Sequence, residues 1–437
     1  LSEPNINSEQ HTLWKDTVNH AVISDVGMRR AINQDSLSVL LAESQAGWER
    51  SGHFFVVADG MGAHAAGELA SKLAVELIPH HLLKLRDLPP AESLHRSISE
   101  ANAEIFRRGQ ANIEFRSMGT TCSALALLPE GAVIAHVGDS RIYQLHRDQL
   151  YQLTFDHSLV WEMQAAGEVT DETARSGVIP KNVITRSLGP NANVQIDIEG
   201  PFPVQKGDRF LLCSDGLSGQ VTDEEMGAIL SCLPVRDAAQ LFVDLSNLRG
   251  GPDNITAVVV EVADERIATA SQESIALRRH AVRRGFSPAL GVVTAVCLSA
   301  ALILFLLGLW PLALVATVLG TIALATGLSQ IYWSNHPSPA NNSRYGNGPY
   351  RQYKATPARP LFEHLVGTMK SLKEASEERN WSIDWAIIDQ SFAEACKRAD
   401  SHNYRDAIRI QSQVIIELMR QIRKQRSLNT GDSAIDL

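Results

Sequence analysis

Five aspartates, Asp35, Asp59, Asp139, Asp215 and Asp253, stand at the ends of apolar runs or in turns. Asp59 shows the pattern best. The run Phe54-Phe55-Val56-Val57-Ala58 reads as a buried strand, and Gly60 and Gly62 then let the backbone turn and expose its carbonyls. Carboxylates and carbonyls are the ligands that hard divalent cations take. Five aspartates in one cleft would repel one another unless cations lay between them. Without a His or Cys cluster, Mg²⁺ or Mn²⁺ suits the set better than zinc. Two such ions about 4 Å apart lower the pKa of a shared water and neutralise a phosphate during in-line attack. Such chemistry uses no side-chain nucleophile, and neither a Ser-His-Asp arrangement nor a Cys-x-x-x-x-x-Arg loop is evident. Taken singly, each residue has a plainer reading: Asp253-Asn254 an ordinary turn, Arg141 a structural ion pair, Arg30 a surface charge.

The elements that would position these residues are mixed α/β. Val22–Ser24, Phe54–Ala58, Cys122–Leu128, Ala132–Val137, Ile142–Leu145, Arg209–Cys213 and Thr256–Val262 read as strands. Helical spacing predicts helices over 67–78, over 90–109 and around Leu241-Phe242-Val243. Strands joined by short turns, with helices grouped between them, imply antiparallel sheets covered by helices, an α+β arrangement.

The 437 residues are too many for one ordinary domain. A net charge of -9 argues against a nucleic-acid binder. The five cysteines are widely spaced, as in reduced cytoplasmic thiols. The first residues carry no signal-peptide pattern, and 1–19 reads as a lead-in before a domain over 20–263. A basic stretch follows over 264–287, with Arg278, Arg279, Arg283 and Arg284. No Asp, Glu, Lys or Arg then occurs from Gly285 through Ser343. The apolar core of that run is about twice the ~20 residues a membrane helix needs. Gly308-Leu309-Trp310-Pro311 divides it, which predicts two transmembrane helices over 288–332. Both flanks hold Lys or Arg and the turn holds none, so both flanks are expected on the cytoplasmic side. Residues 333–360 read as a flexible linker. Residues 361–427 have helical periodicity, Phe392, Ala395, Cys396 and Ala399 among them, and resemble one tetratricopeptide-like hairpin or a small helical bundle for protein binding or dimerisation. Residues 428–437 read as a tail.

Taken in order, the 20–263 region contains Gly27-Met28-Arg29-Arg30-Ala31-Ile32-Asn33-Gln34-Asp35-Ser36, Val57-Ala58-Asp59-Gly60-Met61-Gly62-Ala63-His64, Met118-Gly119-Thr120-Thr121 and His136-Val137-Gly138-Asp139-Ser140-Arg141. Asp156-His157-Ser158-Leu159, Asn182-Val183-Ile184-Thr185-Arg186-Ser187-Leu188-Gly189, Cys213-Ser214-Asp215-Gly216-Leu217 and Pro252-Asp253-Asn254-Ile255-Thr256 complete the series. Eight motifs in this order resemble the metal-dependent protein phosphatases (PPM, or type 2C) in their bacterial serine/threonine form. The resemblance implies a four-layer α-β-β-α sandwich of two antiparallel sheets flanked by helices. It also implies hydrolysis of phosphoserine and phosphothreonine by a metal-activated water, with two or three Mn²⁺ or Mg²⁺ ions.

By the same resemblance, Asp59 is the bridging ligand and Gly60 a backbone-carbonyl ligand. Asp215 and Asp253 serve the opposite metal, and Asp139 joins Asp215 at a weaker third. Arg30 clamps the substrate phosphate, a bidentate task suited to a guanidinium. Asp35 and Gln34 reach the metals directly or through waters. Three departures stand out: Gln34 where many relatives have Glu, Met61 in place of a His that some members use as general acid, and Ala63 for a frequent Gly. His64 and His157 read as structural. The segment from Asp156 to Arg186 resembles the family's flap, with bends at Gly167, Gly177 and Pro180. The expected partners are phosphorylated Ser/Thr proteins and Ser/Thr kinases, at a membrane held through the hairpin. The alternatives are a phosphoprotein-binding scaffold, and a phosphatase of small phosphate esters or of an anti-sigma-factor antagonist.

Overall fold

The computed structural model describes residues 13–62, 65–170, 173, 179–180, 183–269, 288–335, 345–379 and 381–430; side chains of 288–291, 327–335 and 426–430 are excepted. Residues 1–12 of the lead-in, Ala63, His64, Gly177, the basic cluster Arg278, Arg279, Arg283 and Arg284, and tail residues 431–437 lie outside them. Two compact units result, one containing 169–277 and 344–437 with the first 164 residues, the other 165–168 and 278–343.

The first unit holds twelve described strands: β1 (Val18–Asp25), β2 (Asp35–Leu40), β3 (His53–Met61), β4 (Gly119–Thr120), β5 (Cys122–Leu128), β6 (Gly131–Val137), β7 (Arg141–His146), β8 (Gln149–Gln152), β9 (Asp197–Phe202), β10 (Arg209–Cys213), β11 (Ile255–Val262) and β12 (Arg351–Lys354). One sheet runs β1-β11-β10-β7-β8-β12 and the other β2-β3-β5-β6-β9, with β4 on β3. Their pairings are antiparallel.

Side chains alternate across a strand, and β3 divides accordingly. Phe55 and Val57 join Leu125, Ile134, Phe210, Leu212 and Val258 in a core between the sheets. Phe54, Val56 and Ala58 instead pack with residues of the helices Ala66–Lys84 and Pro90–Ala111. Burial on both faces explains why β3, β5 and β6 read as unbroken apolar runs rather than alternating ones.

The other sheet's outer face carries the helices Asp223–Cys232 and Val235–Leu248. Thr222 and Glu225 cap the first of these reciprocally. The C-terminal helices Arg359–Glu378, Trp385–Asp400 and Tyr404–Thr430 add to the same core through Leu361, Phe362, Ala395, Ala407 and Ile415. The helical segment therefore lies in one compact unit with the sheets.

The predicted 333–360 linker contains β12, which pairs with β8 at the sheet edge, Arg351 opposite Gln152 and Lys354 opposite Gln149. Glu199, 3% exposed, accepts hydrogen bonds from Gly348 N–H (2.8 Å) and Tyr350 Oη (2.5 Å) and so holds the approach to this strand.

The second unit contains the helices Pro288–Leu306 and Trp310–Asn335, with Gly308 between them at φ +76°. Small residues Ala301, Ala313 and Ala323 are buried, whereas Leu302, Leu306, Leu312 and Leu314 are exposed. A Cβ at Gly320 would lie 3.3 Å from that of Cys297, so the two helices approach closely there. Among the described residues no helix is long and apolar enough to cross a membrane, so the expectation of two transmembrane helices over 288–332 is not supported.

Candidate active site

The aspartates arrive on the ends of both sheets. Asp35 begins β2 and lies opposite Asp59 of β3. Asp59 is fixed through its backbone: its N–H donates to Thr121 Oγ1 (2.9 Å), and its carbonyl accepts from Thr121 N–H (2.9 Å) and Thr120 Oγ1 (3.0 Å). Gly60 N–H donates to the Gln34 carbonyl at 3.1 Å, and a Cβ at Gly60 would sit 2.2 Å from the Gly67 carbonyl oxygen. Any side chain there would push apart the strand and the neighbouring helix, so glycine is a packing requirement as well as a turn residue.

Asp139 immediately precedes β7's lead-in, Asp215 opens the short helix Asp215–Ser218 after β10, and Asp253 lies two residues before β11. Asp35 ties the sheets together: its Oδ2 accepts from Ser214 Oγ (2.8 Å) and Thr256 Oγ1 (2.7 Å). Arg30 donates to Asp253 Oδ2 at 2.7 Å, and both side chains remain partly exposed. Arg30, Asp139, Asp215 and Asp253 line a cleft of about 790 Å³ together with Trp161 and Arg351.

Electrostatics report the convergence. Burial, then repulsion from Asp35, Asp215, Asp139 and Asp253, pushes the Asp59 carboxyl well above its ordinary range. Burial likewise raises Asp35 to about 7, against the Thr256 and Ser214 hydrogen bonds, with Asp215 and Asp253 adding to the rise. Asp139 is pushed up to about 8 by burial, then by Asp215 and Asp156. Burial and then Asp253 raise Asp215, opposed by contact with Asp59. Carboxylates in such surroundings give up their charge or gain a cation.

Buried Oδ1 atoms of Asp35, Asp139 and Asp215 have no hydrogen-bond partner among the described residues. An all-oxygen donor set with three unpartnered carboxylate oxygens fits a hard divalent cation. Among the described residues no group of three or more His, Cys, Asp or Glu side chains forms a cage for an ion.

Other residues around the cleft make structural contacts. Arg141 is bound to buried Asp156 through Nε (2.9 Å) and a terminal nitrogen (2.7 Å). His157 Nδ1 accepts from Gly138 N–H at 3.0 Å, while its Nε2 faces Asp197 at 2.9 Å, so it holds the loop before Asp139. Gln34's amide nitrogen packs beside Gly67. Asn254, to which its sequence position assigns no role of its own, organises the Arg30 loop: its Oδ1 accepts from Gln34 N–H (2.8 Å), and its Nδ2 donates to the carbonyls of Val26 (2.9 Å) and Ile32 (3.0 Å). The only sequence-level hint was its place directly after Asp253.

Residues 28–247, just over half the chain, match the family described as protein phosphatase 2C. The chain belongs to the protein phosphatase 2C family. A serine/threonine phosphatase, stp, of Listeria innocua is 41% identical over 211 residues, which are 47% of this chain and 83% of that protein. Protein phosphatase PhpP of Streptococcus pneumoniae is 34% identical over 56% of this chain and 98% of its own length. A solved catalytic domain of the serine/threonine phosphatase PstP, in complex with two manganese ions, is 33% identical, with a TM-score of 0.46 over 56% of this chain and 99% of that one. This type 2C chain is thus a protein serine/threonine phosphatase.

Proposed function

We propose that the chain hydrolyses phosphoserine and phosphothreonine in proteins with the help of Mn²⁺ or Mg²⁺ held by the aspartate cluster. The observation that carries this reading is the meeting of buried carboxylates from two sheets, with unpartnered oxygens on Asp35, Asp139 and Asp215. Asp59 would be the bridging ligand and Gly60 a backbone-carbonyl ligand, Asp215 and Asp253 would serve the opposite metal, Asp139 would join Asp215 at a weaker third, and Asp35 would act directly or through water. A divalent cation bound there supplies Lewis acidity and an acidified water at neutral pH. Arg30, part-exposed beside the cleft and paired with Asp253, orients the phosphoryl group through paired N–H donors. Ser214 and Thr256 keep Asp35 aimed into the cluster.

The test is phosphate release from phosphoserine and phosphothreonine peptides by the purified full chain, in Mn²⁺ and then in EDTA. Activity should vanish in chelator, return with Mn²⁺, and be absent in Asp59→Asn. Undiminished turnover in EDTA or in the variant would reject the metal reading.

The helix pair 288–335 is further proposed to hold the enzyme at a membrane through its apolar surface, near Ser/Thr kinases and their products, although among the described residues neither helix is long and apolar enough to cross one. Support comes from exposed Leu302, Leu306, Leu312 and Leu314 around buried alanines, and from the chargeless run 285–343. Full chain that stays soluble and fails to float with lipid vesicles would count against it.

A further inference from the structure

The active-site cleft has a wall that comes from outside the family-matched region. Residues 28–247 match type 2C phosphatases, yet Arg351 and Tyr353 of β12 line the same cleft as Arg30, Asp139, Asp215 and Asp253. β12 is held firmly in place. Besides its four-residue pairing with β8, Tyr350 N–H donates to the Gln152 carbonyl and Ala355 N–H to that of Asp148, both at 2.8 Å. Ala355 is buried, and the Tyr350 ring packs edge-on to Phe155 at 5.4 Å.

Arg351 differs from the cleft's other arginines in how its charge is used. Arg141 is committed to Asp156, and Arg30 to Asp253. The guanidinium of Arg351 lies over the Trp161 ring, 3.8 Å from its centroid, and its terminal nitrogen is 3.4 Å from Gln164 Oε1. Trp161 is itself braced edge-on by Phe155 at 5.4 Å. Among the described residues Arg351 forms no ion pair, although it also hydrogen-bonds the Tyr353 side chain and its charge reaches Asp156. Stacking leaves the in-plane N–H fork of an arginine available and restricts its rotamers, so less ordering is lost when an oxyanion binds.

We propose that Arg351 forms a second anion subsite of the cleft, which takes an acidic group flanking the phosphoresidue: an Asp or Glu carboxylate, or a second phosphoryl group. The inference rests on the phosphoprotein reading above. Planar, paired donors suit either oxyanion. A selectivity residue is thereby supplied by the segment that follows the 288–335 helices, and a truncated 20–263 domain would lack it.

The experiment compares the full chain with Arg351→Ala and Arg351→Lys on three matched phosphopeptides: one with neutral flanks, one with Glu flanks, one with a neighbouring second phosphoserine. A small aryl phosphate serves as the control. For Arg351→Ala, KM on at least one anionic peptide should rise roughly tenfold, as for a lost charge-assisted contact at a part-exposed site. The kcat, the neutral peptide and the aryl phosphate should change less than about twofold, and Arg351→Lys should recover part of the loss by restoring charge without the fork. Which anionic peptide responds distinguishes carboxylate from phosphoryl. In the unaltered chain, the KM advantage of that peptide should shrink as KCl is raised, because salt screens part-exposed pairs. That measurement stands even if a variant folds poorly. Equal loss on every substrate, or no preference of the unaltered chain for an anionic flank, overturns the subsite. An unaltered chain inactive on all three peptides but active on the aryl phosphate overturns the phosphoprotein reading as well.

Discussion

Replacing Asp35 by asparagine should stabilise the cation-free protein while impairing the enzyme. Asp35 is 8% exposed; its Oδ2 accepts from Ser214 and Thr256, and its Oδ1 has no partner. An asparagine can keep both hydrogen bonds on its oxygen and turn its amide toward Asp59, directly across the β2–β3 pair. The native carboxyl sits at about 7 against an ordinary 3.8, raised first by burial. A folded-state pKa above the unfolded value means that the native state holds the proton longer. Stability is therefore lost as pH rises from about 4 through about 7. At 1.36 kcal/mol per pH unit the loss at pH 8 is about 4 kcal/mol at most, and neighbouring carboxyls share part of it. The substitution removes this penalty. In EDTA at pH 8, Asp35→Asn should raise stability by about 1–4 kcal/mol, a Tm gain of roughly 2–8 °C. At pH 4 the gain should be close to nil. In saturating Mn²⁺ the order should narrow or reverse, since cation binding stabilises the native chain more. Urea unfolding with and without EDTA at the two pH values measures all of this. A variant less stable than the native chain at pH 8 in EDTA would refute the mutual repulsion inferred for the cluster.

Two further outcomes follow from the packing. Asp156→Ala takes the nearest carboxylate from part-buried Arg141 and leaves only Asp223 at 3.6 Å, and breaking such a pair costs up to about 3–5 kcal/mol; urea midpoints should fall accordingly, and a loss below about 1 kcal/mol would contradict Arg141's structural role. Glu199 beside β12 is raised to about 7 by burial, opposed by its Tyr350 and Gly348 hydrogen bonds, so it withdraws stability as pH rises from about 4.5 to about 7, about 3 kcal/mol at most. In Glu199→Gln that part of the pH slope should disappear, and an unchanged slope in paired melts would show that the carboxyl is not held protonated.

The site was legible where chemistry coincides with local pattern. Asp59 ends an apolar run that is buried on both faces, and the strands flanking Asp139, Asp215 and Asp253 share that texture. The 288–335 segment forms two helices with the break at Gly308, as the sequence implied, whereas the expectation that they cross a membrane finds no support among the described residues. Long-range partnerships were not legible. Asn254 acts on Val26, 228 residues away in the chain, and no spacing rule spans such a distance. β12 is only four residues long, with alternating part-buried and exposed positions and polar text. Its stability comes from an edge left open by β8 and from the Glu199 contacts rather than from its own propensity, which is why 333–360 read as a linker. The C-terminal helices were visible from their periodicity, whereas the core they share with the sheet-covering helices was not.

Anomalous diffraction from Mn²⁺-loaded crystals of the full chain tests the central claim most directly. Manganese peaks are expected at the Asp59, Asp215 and Asp253 carboxylates, with a weaker one near Asp139. Catalytically active crystals with no manganese at these carboxylates, or with manganese bound elsewhere, would contradict it.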